Sequence, residues 1–310
     1  MNVNKTGIAQ FKFALLLLIF CSASACNQST DPDVKSDGFE TVPQKFNITP
    51  GIIDEASGLT ESANLNGYLW TNQDSGAPNS LYLISKDGKS IKEYKVPGSE
   101  NHDWEDITSG PGPNSGVNYL YIGDTGNNNL PMTETNIIYR IPEISDLNGS
   151  FQSSQLEKIR FRYPDGPRDA ETLLLDPKTR DIFIISKESA QTGIYRLPYP
   201  QSTSETITAE KTGAIPSVAM ATSGDISVGG NEIIIRTYFS VLYWTRKEGE
   251  TVSQTLSQSA TKILPVALEP QGEGICFDRQ SSGFYTLSEK GSASSVTLNY
   301  YKRKFSLIRS

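Results

Sequence analysis

Carboxylates recur in this chain at the openings of similar short apolar phrases, and their spacing decides what they could do together. The phrases are Glu55-Ala56-Ser57-Gly58-Leu59, Trp104-Glu105-Asp106-Ile107, Asp169-Ala170-Glu171-Thr172-Leu173, Gly224-Asp225-Ile226 and Gly272-Glu273-Gly274-Ile275. Counted through Glu55, Glu105, Glu171, Asp225 and Glu273, the intervals run from 48 to 66 residues. Gathered around one axis, such acids cannot all stay ionised and unpaired. Two carboxylates about 6 Å apart repel by roughly 3 kcal/mol at an effective dielectric near 20. Protonation or a bound cation relieves that repulsion. An all-oxygen donor set suits a hard ion, and Ca²⁺ accepts irregular geometry more readily than Mg²⁺. One histidine and no spare cysteine pair argue against zinc and copper. These five acids are the expected calcium ligands. The competing reading is that they cap strand ends, bond backbone N–H groups, or pair with Arg168 and Lys187.

A second set of polar residues follows each phrase, at the ends of the next strands: Asp74, Asp124, Lys187, Arg236 and Lys290. Together with His102, in the acid-rich run Glu100-Asn101-His102-Asp103-Trp104-Glu105-Asp106, they form the expected ligand-binding group. His102 is a candidate acid or base there; otherwise it is solvated beside a buried Trp104. Gly123-Asp124-Thr125-Gly126-Asn127-Asn128 reads either as a loop whose backbone holds an ion or as a tight turn that needs glycine. Asp74-Ser75-Gly76 and Asp124-Thr125-Gly126 look superficially like the paired motifs of aspartic proteases, but they stand one repeat apart and Asp74 has polar surroundings. No Gly-x-Ser-x-Gly elbow and no phosphate- or dinucleotide-binding glycine motif occurs. No catalytic residue is assigned.

The elements that must carry these residues are short strands. Gly67-Tyr68-Leu69-Trp70-Thr71, Ser80-Leu81-Tyr82-Leu83-Ile84, Tyr119-Leu120-Tyr121-Ile122, Asp181-Ile182-Phe183-Ile184-Ile185 and Glu232-Ile233-Ile234-Ile235 are aromatic and β-branched runs bounded by turn formers, the composition of strands. No convincing helical period appears after the N-terminal segment. Five phrases of about fifty residues predict an all-β propeller of about five four-stranded blades. Stacking is what covers both faces of a blade. The last phrase lacks a strand, which Phe39–Ile48 would supply, closing the ring between the two chain ends. Six blades are the variant, because the interval from Glu105 to Glu171 has room for irregular strands. A β-sandwich with a second small domain is the bland alternative. In the propeller, the start of each first strand and the end of each second lie at the same mouth, so Glu55, Glu105, Glu171, Asp225 and Glu273 would ring it.

Composition narrows the setting. Of 310 residues, 20% are charged and 36% hydrophobic, and the net charge is −7, so nucleic acid, which selects basic patches, is not an expected partner. Lys5 and Lys12 precede the apolar run Phe13–Phe20, too short to span a bilayer as a helix but suited to a signal-peptide core. Ser24-Ala25-Cys26 then resembles the bacterial lipobox, which predicts a signal peptide over 1–25 and a lipidated Cys26. Ordinary cleavage after Ala25 is the alternative. Asn27, where an aspartate would signal inner-membrane retention, points to the outer membrane. Residues 26–37 read as lipidated cysteine and tether, and 38–310 as the propeller. Cys21 leaves with the signal, so Cys276, in an apolar strand pattern, is expected to be a buried small hydrophobe.

Taken together, the acidic phrases at Glu55–Leu59, Asp103–Ile107, Asp169–Thr172 and Gly272–Ile275 and the Gly123–Asn128 loop resemble secreted bacterial β-propeller proteins, and more distantly the phytase-like and calcium-dependent nucleotidase propellers. Those enzyme families imply calcium and phosphate-ester substrates, and in this chain Lys187, Arg236 and Lys290 could meet a phosphate, although the families' catalytic residues do not map onto it one by one. The expected function is a lipid-anchored propeller that binds a cation and a small, anionic or phosphorylated ligand, or a protein partner, at the channel mouth. The alternatives are a calcium-dependent phosphoesterase using metal-bound water and an interaction platform without catalysis.

Overall fold

The computed structural model describes residues 38–127 and 132–304. The expected signal peptide, Cys26 and the tether lie outside the described residues. Among those described, no helix is long and apolar enough to cross a membrane.

The aromatic and β-branched runs form strands, and Gly, Asn, Asp and Pro turns reverse them. After β1 (Gln44–Asn47) come β2 (Ala56–Glu61), β3 (Tyr68–Gln73), β4 (Ser80–Ser85) and β5 (Ile91–Lys95), which pair in that order as the first antiparallel sheet. The second sheet runs β6 (Trp104–Pro111), β7 (Asn118–Asp124), β8 (Asn136–Pro142), β9 (Glu157–Arg162). The third sheet holds β10 (Thr172–Leu175), β11 (Ile182–Ile185), β12 (Thr192–Leu197) and β14 (Glu210–Ile215). Between the last two strands, β13 (Ile207–Thr208) crosses to lie parallel beside β9, giving the second sheet a fifth strand. The fourth sheet holds β15 (Ala221–Ile226), β16 (Glu232–Thr237), β17 (Val241–Thr245) and β18 (Lys262–Leu264), with a short helix, α1 (Val252–Leu256), in its last connection. The fifth holds β19 (Gln271–Phe277), β20 (Gly283–Glu289) and β21 (Thr297–Lys302), and β1 completes it, Phe46 lying opposite Leu298.

The first strand of each sheet packs against the first strand of the next, and β19 packs against β2 to close the circle. The chain is a five-bladed β-propeller closed by its N-terminal strand. The long interval between Glu105 and Glu171 holds no sixth blade; the extra residues form the connections around β8 and β9.

The core divides into wedges, one between each pair of adjacent blades. Trp70 and Leu83 of the first blade meet Trp104, Ile107 and Tyr139 of the second. Phe183 and Ile185 of the third meet Ile235 and Trp244 of the fourth. Cys276 is free and buried in the wedge between the last blade and the first. Full burial of each large apolar side chain contributes about 1.5–3 kcal/mol, so the wedges hold the ring together.

Close to the axis the strands are irregular in a repeated way. Register shifts interrupt β2 at Ala56/Leu59, β6 at Trp104/Ile107, β15 at Ala221/Ser223 and β19 at Gly272/Gly274. A bulge lets two successive residues escape strict alternation. At β6 it turns both Glu105 and Asp106 inward, and both are buried. Asp106 Oδ2 accepts from Leu173 N at 3.0 Å and Gly224 N at 3.3 Å, while Oδ1 accepts from Ser223 Oγ at 3.0 Å and Ile107 N at 2.9 Å. One carboxyl group thereby joins three blades.

Each backbone N–H stranded in the interior costs about 1–3 kcal/mol. Asp106→Ala should therefore lower unfolding free energy by at least about 3 kcal/mol, and Asp106→Asn by less, in urea titrations followed by circular dichroism. A loss under about 0.5 kcal/mol for the alanine variant, the size of an ordinary surface change, would contradict the role given to this group.

Candidate functional site

Pairing across the inner two strands sets which residues are equivalent from blade to blade. Glu105 follows Trp104, which faces Asp124; Glu273 follows Gly272, which faces Ser288. By the same register Ser57 follows Ala56, and Thr222 follows Ala221. The inner ring is therefore Ser57, Glu105, Glu171, Thr222 and Glu273: three carboxyls and two hydroxyls. Ser57 Oγ donates to Glu105 Oε2 at 3.3 Å, and Thr222 Oγ1 to Gly272 O at 2.9 Å.

Two residues earlier in the chain, a pleat places side chains on the same side. Glu55, Asp103 and Asp169 occupy these positions. Asp74, Asp103 and Glu105 bring carboxylate oxygens within 4.8 Å of one another, and so do Glu105, Asp169 and Glu171. Glu105 belongs to both groups. Gly126 makes the crowding feasible, since a Cβ there would collide with the carboxyls of Glu105 and Asp103. Lys187 forms an ion pair with Glu171 Oε1. The other oxygen, Glu171 Oε2, is buried without a hydrogen-bond partner among the described residues, as is Glu273 Oε2.

The electrostatics follow from that arrangement. Glu171 is pushed up to about 8 by burial first and the Glu273 charge second, against the pull of Lys187. Glu273 is pushed up to about 8 by burial and by Glu289. Asp103 rises to about 7 through burial and the Asp74 charge, and Glu289 to about 7 through burial and Glu55. Glu105 is raised well above the usual carboxylate range by burial and then by Glu171. Without a cation, this mouth holds protons that free carboxylates release.

The residues expected from the sequence divide in several ways. Glu105, Glu171 and Glu273 meet at the mouth, and Asp74 joins them. Glu55 stands exposed at the rim, level with Asp103, while Ser57 takes the inner position of that blade. Asp225 is elsewhere. It lies near the far end of β15, where its carboxyl accepts from Ile226 N at 2.8 Å and Phe277 N at 2.9 Å. The strand that carries it begins four residues before it, at Ala221, so the phrase Gly224-Asp225-Ile226 marked the wrong end of the strand.

The second group is mostly engaged in structure. Asp124 accepts from Asp103 N at 2.8 Å and lies 2.9 Å from His102 Nδ1. The His102 side chain is 65% exposed and bridges to Glu100 as well, and the Asp124 hydrogen bond raises its pKa. Arg236 is buried; it pairs with Glu269 and donates to Gly274 O at 3.1 Å. Lys290 pairs with Asp54 across the closing seam at 2.5 Å. Asp103 and Asp169 are the site residues that counting missed. The pattern Asp-x-Glu, present as Asp103-Trp104-Glu105 and Asp169-Ala170-Glu171, could have revealed them.

No protein-family model and no curated protein matches the sequence. Among solved structures the chain is similar to a luciferin-regenerating enzyme, with 11% identity and a TM-score of 0.47, over 85% of this chain and 97% of that one. It is also similar to the Dos1 propeller, with 12% identity and a TM-score of 0.35, over 81% of this chain and 69% of that one. Neither likeness bears on the chemistry of the mouth.

The raised carboxyls have a consequence for pH. Between about pH 4.5 and 8 the unfolded chain has released protons that the folded mouth still holds, so the folded state binds more protons and loses stability as pH rises. Below that range both states are protonated and the difference vanishes. In chelator-treated protein the melting temperature should fall from pH 5 to pH 8, and Glu273→Gln should flatten the fall. A Glu273→Gln profile as steep as wild type would contradict this account.

Proposed function

We propose that this chain is a lipid-anchored propeller whose acidic mouth binds a calcium ion. The observation that carries the reading is the pair of carboxylate groups sharing Glu105, next to two buried carboxylate oxygens with no donor. Asp74, Asp103, Glu105, Asp169 and Glu171 would hold the ion, with Glu273 behind them. Oxygen-only ligands of mixed depth suit Ca²⁺, whose coordination is irregular, better than Mg²⁺ with its strict octahedron. The ion would replace the protons and remove the repulsion. Lys187 would keep its pair with Glu171 and offset part of the remaining charge.

A small ligand or a partner would reach the ion across the rim formed by Glu55, Asp74 and His102. The phosphate-ester hydrolase reading needs cations to grip phosphoryl oxygens. Lys187, Arg236 and Lys290 are each held by a carboxylate, so they lend it no support. The anchor is proposed from Ser24-Ala25-Cys26, with the outer membrane as its site and no nucleic-acid partner.

Calcium at 100 times its dissociation constant stabilises by about 2.7 kcal/mol. That corresponds to a rise in melting temperature of roughly 5–10 °C. Ca²⁺ should give this rise, Mg²⁺ at equal concentration should not, and Glu105→Gln should abolish it. Equal shifts from both ions, or none from either, would sink the metal assignment. For the anchor, Cys26→Ser should move the protein from the detergent phase to the aqueous phase in detergent partitioning of expressing cells; partitioning that ignores the substitution would remove it.

A further inference from the structure

The opposite mouth of the channel is built differently. A cavity of about 340 Å³ opens there, at the small end of the range that holds small molecules, about 300–1,000 Å³. Every blade contributes the far end of its first strand: Glu61 from β2, Pro111 from β6, Leu175 from β10, Ile226 from β15 and Phe277 from β19. At roughly 3.3 Å per residue, these strands separate it from the inner acidic ring by about 13–20 Å. The buried Asp106 knot lies between the two.

Its lining is apolar along the walls and charged at one point. Leu175, Ile226 and Phe277 form buried walls, and Val228, 49% exposed, stands at the lip. Two carboxyls face the space, but both are committed. Glu61 takes Lys86 at 2.7 Å and the backbone N–H of Arg279 at 3.0 Å. Asp225 accepts the Ile226 and Phe277 N–H groups described above. Arg279 lines the same cavity and is partly buried; its guanidinium makes no hydrogen bond or ion pair among the described residues, and its charge acts on Asp225 and Glu143 without contact. An arginine that is always charged, with five donors in a planar fork, is the side chain best matched to a carboxylate.

We infer that this mouth binds a small monocarboxylate with an apolar body, its carboxylate gripped by Arg279 and its body against Leu175, Ile226, Phe277 and Val228. The charge balance selects among anions. Among the described residues lining the cavity Arg279 is the one cation, and its charge already acts on Asp225 and Glu143, so it suits a single negative charge and disfavours phosphates or polyanions. A cationic ligand is disfavoured as well, because it would meet the Arg279 guanidinium while Glu61 already carries the Lys86 charge. This site is independent of the acidic mouth and of the ion proposed there.

The test uses the mature chain and octanoate as probe, with 1-octanol as its uncharged twin, in calorimetric titrations. Octanoate should bind with one-to-one stoichiometry. A charge-assisted hydrogen bond is strong enough that octanol, and octanoate with Arg279→Gln, should each bind at least about tenfold more weakly. Val228→Trp, at the exposed lip, should block octanoate without lowering the melting temperature, and Glu105→Gln should leave octanoate binding unchanged. No saturable octanoate binding would overturn the inference. So would equal affinity in Arg279→Gln, or a loss in Glu105→Gln as large as in Arg279→Gln.

Discussion

Five strand edges meet around the axis of this molecule, and the backbone groups on those edges have no ladder to join. Blades splay as they leave the axis, so neighbouring first strands approach without pairing, yet their N–H and C=O groups are shut away from water. Such groups must find partners. Polar side chains from the next blade supply them. Asn72 donates to the carbonyls of Trp104 and Glu105, Thr125 to that of Ala170, and Thr222 to that of Gly272. Asp225 accepts from Phe277, and Asp106 reaches two blades at once. Stitching of this kind sets which residue types the inner strands can carry. Apolar residues fill the wedges, and small or acceptor-bearing residues face the axis.

The acidic mouth is where this stitching runs out of donors. Asp106, one residue after Glu105, accepts four hydrogen bonds. Among the described residues Glu105 has only the Ser57 hydroxyl, and Glu171 and Glu273 each keep a bare oxygen. Both residues of the Glu105-Asp106 pair face inward because of one bulge, yet they have opposite fates. The deeper one finds backbone N–H groups, and the shallower one finds other acids. An acid that ties strands together and an acid that needs a counter-charge can therefore be neighbours in the chain.

Much of the architecture was legible because it repeats. Strand composition, the fifty-residue phrase and the missing outer strand supplied by residues near Phe39–Ile48 all rest on local pattern, and the blade count and closure follow from them. Position within the phrase was less legible. The acid marker worked at Glu105, Glu171 and Glu273, whose neighbours Trp104, Ala170 and Gly272 fix the register. It failed at Asp225, because in that blade a hydroxyl, Thr222, holds the equivalent place and a carboxylate happens to follow three residues later. It was offset at Glu55, because Ser57 fills the inner position. The basic residues misled for another reason. Lys187, Arg236 and Lys290 have carboxylate partners 16, 33 and 236 residues away in the chain, and nothing local announces a pairing at such separations.

The final blade draws β1 from one end of the chain and its other three strands from the other. Synthesis delivers the N-terminal strand first and β21 last, about 250 residues apart, so β1 must wait through almost the whole of production before it has an edge to join. Contacts so distant in sequence form slowly, and an unpaired strand is an invitation to the wrong neighbour. β1 answers with brevity and polarity: four residues, Gln-Lys-Phe-Asn, largely exposed. A clasp that must stay open for so long is safest when it is too short and too wet to stick to anything but its own catch.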